Sequence, residues 1–173
     1  MLKVKSSEKV EIGCKTSKGP FTLHLYRKWS PNGYDRAVEL FSRGYYDNSH
    51  FFRVIPSFLV QFGLSYSNNK ELLRFADTTI PDDPQLNPRI KFREGILSYA
   101  GNGKNSRTSQ LFISYGSAAS LGTQPWETPV GEVVEGMDII RDLYSKYGDS
   151  RGPEQHLIRN KGLSYIEENF PEL

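Results

Sequence analysis

From Val10 to Thr16 the chain alternates apolar or small side chains with polar ones, the two-residue period of a half-buried strand. Ser17-Lys18-Gly19-Pro20 reads as a turn, and Phe21 to Tyr26 alternates again, so the two segments predict an antiparallel hairpin. His24 falls on the polar phase and is expected at the surface. The period then changes. Tyr34, Ala37, Val38, Leu40 and Phe41 line one face of a helix over 34–43, and Gly44 supplies its stop. That helix is expected to plug one end of a sheet or barrel. Two short apolar runs follow, Phe51–Ile55 and Phe58–Phe62, joined by Pro56-Ser57 as strands are at a tight corner.

From Ser65 to Phe92 the sequence reads as loop, with Pro81-Asp82-Asp83-Pro84 and Asn87-Pro88 as breakers. So long an excursion is either functional or held by its own side chains, for which Tyr66, Leu72, Leu73, Phe75, Ile80 and Leu86 are available. Strands are predicted at Gly95–Ala100 and Gln110–Tyr115, on either side of a polar loop, and another within Thr128–Val134. A helix is expected from Gly136 to near Gly148 on Ile139, Ile140, Leu143 and Tyr144, with Met137 as core filler. After a break at Ser150-Arg151-Gly152-Pro153, Gln155–Ile158 is expected to add a closing strand and Leu163–Asn169 a last short helix. Seven or eight short strands with two good helices fit a closed antiparallel barrel with helical plugs, although periodicity alone leaves barrel and sandwich open.

A chain of 173 residues is the size of one domain. With 22 Lys+Arg against 20 Asp+Glu the net charge is only +2, which makes no case for bulk attraction to nucleic acid or an anionic membrane. Cys14 stands alone, so no internal disulfide forms, and no Cys/His cluster has zinc spacing. No metal is expected. The first residues carry no apolar leader segment and no run approaches membrane-spanning length, so a cytoplasmic or nuclear location is expected.

The candidate chemistry centres on Arg53 and Gln61, strong polar groups among aromatic and branched side chains. Desolvating an arginine is costly, so on core strands both must face a shared polar niche or a ligand pocket; on an edge strand Arg53 would simply lie on the surface. The loop Gly101-Asn102-Gly103-Lys104-Asn105-Ser106 fails as a phosphate-binding loop because that motif's first glycine would fall on Ser98. Lys104 and Arg107 form a candidate basic patch beside the groove, but no RNA-recognition module accompanies them.

The run from Phe51 to Gly63 resembles the signature of the cyclophilins. It is supported in order by Gly95–Ala100, Thr108–Ile113 and Val130–Asp138, and the resemblance reaches from about residue 8 to 148. It implies a single isomerase domain over 1–173, with a divergent tail at 149–173. The implied fold is an eight-stranded antiparallel barrel capped by two helices. The implied activity is cis/trans isomerisation of X–Pro bonds in peptides and proteins, with no cofactor, in a monomer. The unaided barrier is about 18–20 kcal/mol, and an enzyme need only bind the twisted amide better than either planar form.

In that resemblance Arg53 matches the catalytic arginine, which bonds the prolyl carbonyl and aims an N–H at the prolyl nitrogen as it pyramidalises. Gln61 matches the glutamine that positions it. Phe58, Leu59, Phe112 and Leu121 match walls of the proline pocket, and Ala100, Gly101 and Gln110 match the groove for preceding residues. There are departures. Ser120 stands in place of the tryptophan beside the pocket, and the alignment offers Trp126 or Glu127 where a histidine is usual. Gly101 replaces an asparagine, Phe52 a histidine, and Phe62-Gly63-Leu64 the usual Gly-Gly-Asp. Trp126 is the candidate to refill the vacated space from its loop. Cyclosporin affinity, to which the missing tryptophan contributes, is expected to be weakened. The alternative reading is a proline-peptide binding scaffold that has lost most catalysis.

Overall fold

The computed structural model describes residues 8–116 and 118–173. Seven strands, β1 (Lys9–Thr16), β2 (Gly19–Tyr26), β3 (Arg53–Ile55), β4 (Leu59–Phe62), β5 (Ile96–Tyr99), β6 (Leu111–Ser114) and β7 (Gly131–Glu135), form one antiparallel sheet in the order β1-β2-β7-β5-β6-β4-β3. The expected hairpin is there, with Val10 opposite Leu25 and Cys14 opposite Phe21. His24 lies on the hairpin's outer face, 3.0 Å from Glu11 and half-buried. β2 and β7 approach closely at Gly131, where a Cβ would stand 2.2 Å from the His24 carbonyl oxygen; only glycine fits there.

β4, β5 and β6 are buried on both faces, and the two faces do different things. On the inner face, Leu23, Leu25, Val54, Val60, Phe62, Leu97, Tyr99 and Ile113 make the main core. Helix α1 (Pro31–Ser42) plugs one end through Tyr34 and Ala37, and α3 (Met137–Arg141) adds Ile140. α3 is shorter than the helix expected, and the chain turns from Asp142 towards Gly148 instead.

Other expectations fail. The stretch 65–92 is not all loop: α2 (Lys70–Asp77) lies within it. Its Asn69 side chain accepts from the Leu72 N–H at 3.1 Å, and Leu72 and Ala76, four residues apart, bury one face against Leu40 and Tyr45. Gln155–Ile158 is no closing strand either; it opens α4 (Gln155–Lys161), followed by α5 (Leu163–Asn169) as expected. A short apolar run is ambiguous between strand and helix until a partner decides, and here the partner is a hydrophobic ledge that receives Ile158. The resemblance's eight-stranded closure is therefore not made among the described residues: seven strands are present, and β1 and β3 remain unjoined edges. A cleft of about 770 Å³ opens at that seam, lined by Ile12, Cys14, Phe51, Val54, Phe62 and Leu143. It lies on the inner face, away from the Arg53 side chain.

The proline-rich half of the excursion is held by charge. Asp83 accepts from the backbone N–H groups of Asn32 and Gly33, both at 2.9 Å, and so caps α1 in place of Ser30, whose side chain does not. The same carboxylate takes Arg107 Nη2 at 3.0 Å. Arg107 is wholly buried, over the Tyr99 ring and bonded to the Pro81 carbonyl. The expected basic patch of Lys104 and Arg107 is therefore absent: Arg107 is an internal strut, and a desolvated guanidinium requires such a partner.

Candidate active site

The register puts the candidate residues in a transverse row. Arg53 faces Gln61, Gln61 faces Phe112, and Phe112 faces Ser98, so all four side chains share the outer face, with Leu59 two residues along. Since Val54, Val60 and Ile113 point inward, the alternation that fills the core also presents Arg53 outward. The corner between β3 and β4 is turned by Ser57, whose φ is +65°, closed by Phe58 N–H to the Ile55 carbonyl at 3.1 Å.

Arg53 is 30% exposed and firmly held. Nη1 donates to Gln61 Oε1 at 3.1 Å, while Nε and Nη2 donate to the two oxygens of Asp149 at 2.9 and 3.2 Å. Gln61, buried, donates in turn to Gln110 Oε1 at 2.7 Å, and Gln110 to Gln155 Oε1 at 3.0 Å. The result is a continuous polar chain, Asp149–Arg53–Gln61–Gln110–Gln155. The hydrogen bond from Arg53 is the main reason the Asp149 carboxyl is held below its ordinary 3.8, so it is ionised at neutral pH.

Beside the polar chain lies an apolar cluster. Leu59 and Phe112 are buried with Phe92 and Ile96, and Phe58, Ala100 and Leu121 pack half-buried against them. Phe92 stacks on Phe112, ring centres 5.9 Å apart at 18°. Gly101 and Trp126 form a separate pair: a Cβ on Gly101 would fall 2.7 Å from Trp126 Cδ1, so the indole rests on the bare glycine backbone. Glu127 turns the other way and accepts from the backbone N–H groups of Gly122, Thr123 and Gln124. Of the two residues offered at that position, Trp126 meets the groove strand and Glu127 closes its own loop. Ser120 is exposed.

The structure thus joins Arg53, Gln61 and Gln110 by hydrogen bonds, gathers Phe58, Leu59, Ala100, Phe112 and Leu121 in one cluster, and pairs Gly101 with Trp126. Sequence reasoning missed Phe92, Asp149 and Gln155. Phe92 carried a signal, an aromatic just before the Gly95 strand in a stretch otherwise rich in breakers. Asp149 and Gln155 carried none, because they flank a Gly/Pro break that reads as linker.

A family description, "Cyclophilin type peptidyl-prolyl cis-trans isomerase/CLD", matches residues 10–161. Among curated proteins, the chain is similar to the peptidyl-prolyl cis-trans isomerase CYP18-2 of Arabidopsis thaliana, 34% identical over 150 residues, covering 86% of this chain and 89% of that one. It is also similar to the peptidyl-prolyl cis-trans isomerase-like 1 of Aspergillus niger, 35% identical over 138 residues and covering 77% and 80% of the two chains. Among solved structures, the cyclophilin-type isomerase of Cryptosporidium parvum superposes with a TM-score of 0.68 at 23% identity, covering 84% of this chain and 90% of that one. A second structure of that protein, in the presence of the dipeptide Ala-Pro, gives 0.67 at 23% identity over 83% and 91%.

Proposed function

The chain belongs to the cyclophilin-type peptidyl-prolyl cis-trans isomerases, and from that premise we propose that Arg53 is the group with which it stabilises the twisted X–Pro bond. A guanidinium has five N–H donors. Three of those on Arg53 are bonded, one to Gln61 and two to Asp149, so one on each terminal nitrogen stays free, on the sheet face that also carries Leu59 and Phe112. That is the observation that carries the reading. A proline ring seated against Phe58, Leu59, Phe112 and Leu121 would bring its carbonyl to this free end. Rotation about the imide localises the nitrogen lone pair, so an N–H aimed there gains strength only as the bond twists. Gln61 tethers the fork at Nη1, and the apolar walls favour the less polar twisted form. No cofactor takes part in such a step.

The Ala-Pro complex of the Cryptosporidium relative supports proline-containing peptides and proteins as the ligands. Gly101, Ala100, Gln110 and Trp126 would line the groove for the residues before proline. The exposure of Ser120 supports weakened cyclosporin binding. We place the protein in the cytoplasm or nucleus, as a monomeric domain spanning 1–173. The test is a protease-coupled isomerisation assay on Ala-Pro peptides. Arg53→Ala should lower kcat/KM about a hundredfold, equivalent to about 2.7 kcal/mol of transition-state binding. A loss of twofold or less overturns the assignment of Arg53 as the stabilising group.

A further inference from the structure

The segment after α3 supplies both ends of the polar chain. Asp149 grips Arg53 at one end and Gln155 receives Gln110 at the other, six residues apart on the same stretch. That stretch is anchored from behind. Ile158, Tyr165 and Ile166 of α4 and α5 bury themselves against Phe52 and Leu64, and the Tyr165 hydroxyl accepts the Glu154 N–H at 3.2 Å. Phe52 immediately precedes Arg53, and Leu64 follows two residues after Phe62. These two apolar residues are among the departures from the family pattern, and both serve to seat the tail.

We infer that the C-terminal segment is part of the catalytic apparatus, with Asp149 as a positioning residue that sets the plane of the Arg53 guanidinium. The inference rests on Arg53 being the stabilising group. Gln61 alone holds the guanidinium by one bond and leaves it free to turn about that contact. Asp149 adds two parallel bonds on the Nε side, and a bidentate contact fixes a plane where a single bond does not. The remaining N–H groups then point away from the carboxylate. The same carboxylate also draws on the positive charge Arg53 offers the substrate. That opposing effect is screened, because Asp149 is 60% exposed, whereas the direction imposed by two parallel short-range bonds does not depend on long-range charge. Positioning therefore wins.

The test uses the full chain with Asp149→Ala, Asp149→Asn and Arg53→Ala, reading kcat and KM separately by exchange NMR on an Ala-Pro peptide. It also follows the Nε–Hε resonance of Arg53. Asp149→Ala should lower kcat about tenfold with KM changed less than twofold, and should lose the protected Hε signal. Asp149→Asn keeps one acceptor of nearly the same shape and should fall between. Because the pair is exposed, the urea midpoint should hold in both variants. Unchanged kcat overturns the inference. So does a raised kcat, which would make Asp149 a competitor for the fork, and so does a loss carried by KM alone. If Arg53→Ala is itself as active as the wild type, the catalytic reading has failed first, and the two failures remain distinguishable.

Discussion

Replacing Asp83 by alanine leaves the buried Arg107 guanidinium with only the looser Asp82 carboxylate, 4.0 Å from its Nε, and the cost follows from the surroundings of the pair. Asp83 is 2% exposed and Arg107 0%, and two Arg107 nitrogens, Nε and Nη1, already lack a hydrogen-bond partner. Removing one member of a buried pair costs about 3–5 kcal/mol, since the survivor cannot regain its hydration. The lost cap on α1, two backbone N–H groups at 2.9 Å, adds about 1 kcal/mol. Because Asp82 still lies 4.0 Å from Arg107 Nε, the lower end of that range applies, and with a urea m-value of about 2 kcal/mol/M a total near 4 kcal/mol lowers the unfolding midpoint by about 2 M. The assay is urea titration at pH 7 followed by far-ultraviolet circular dichroism. Asp149→Ala serves as the contrast, because it breaks an arginine–aspartate pair whose carboxylate lies in solvent, worth about 0–1 kcal/mol. Adding Arg107→Leu to Asp83→Ala removes the buried charge and should recover a measurable part of the loss. A midpoint shift for Asp83→Ala below about 0.5 M, no larger than that of Asp149→Ala, would refute the reasoning.

Three further outcomes follow from single contacts. Gly101→Ala puts a methyl group 2.7 Å from Trp126 Cδ1, so the indole must move; the Trp126 indole N–H resonance should shift while that of Trp29 does not, and the preference for the residue before proline should change. Burial holds the His50 pKa below its ordinary 6.5, against a weaker upward pull from Glu167. Between the two values the unfolded chain binds the proton and the folded one does not, so stability is intact at pH 7 and falls as the pH drops below about 6.5; His50→Gln should flatten the melting temperature between pH 7 and 5.5. Burial also pushes the Cys14 thiol up to about 11, so iodoacetamide at pH 7.5 should label the folded protein far more slowly than the urea-unfolded chain, and equal rates would contradict it.

Some of this protein is written in short-range pattern. The alternation of Val10–Thr16 and Phe21–Tyr26 specifies the hairpin, and the spacing of Tyr34, Ala37 and Leu40 specifies α1, because strand and helix periods act over a few residues. The row of Arg53, Gln61 and Phe112 was likewise legible, through a run long enough to resemble a family. Other features depend on partners distant in sequence. Whether Leu157 and Ile158 make strand or helix turns on the ledge of Phe52 and Leu64, about a hundred residues earlier. The fate of Arg107 was decided by Asp83, which local composition showed only as part of a proline-bound turn. The union of Asp149 with Arg53 spans 96 positions and leaves no periodic trace, because one ion pair imposes no pattern on its neighbours. Local periodicity could place the arginine on its strand, but only the folded chain could bring it the carboxylate that holds it.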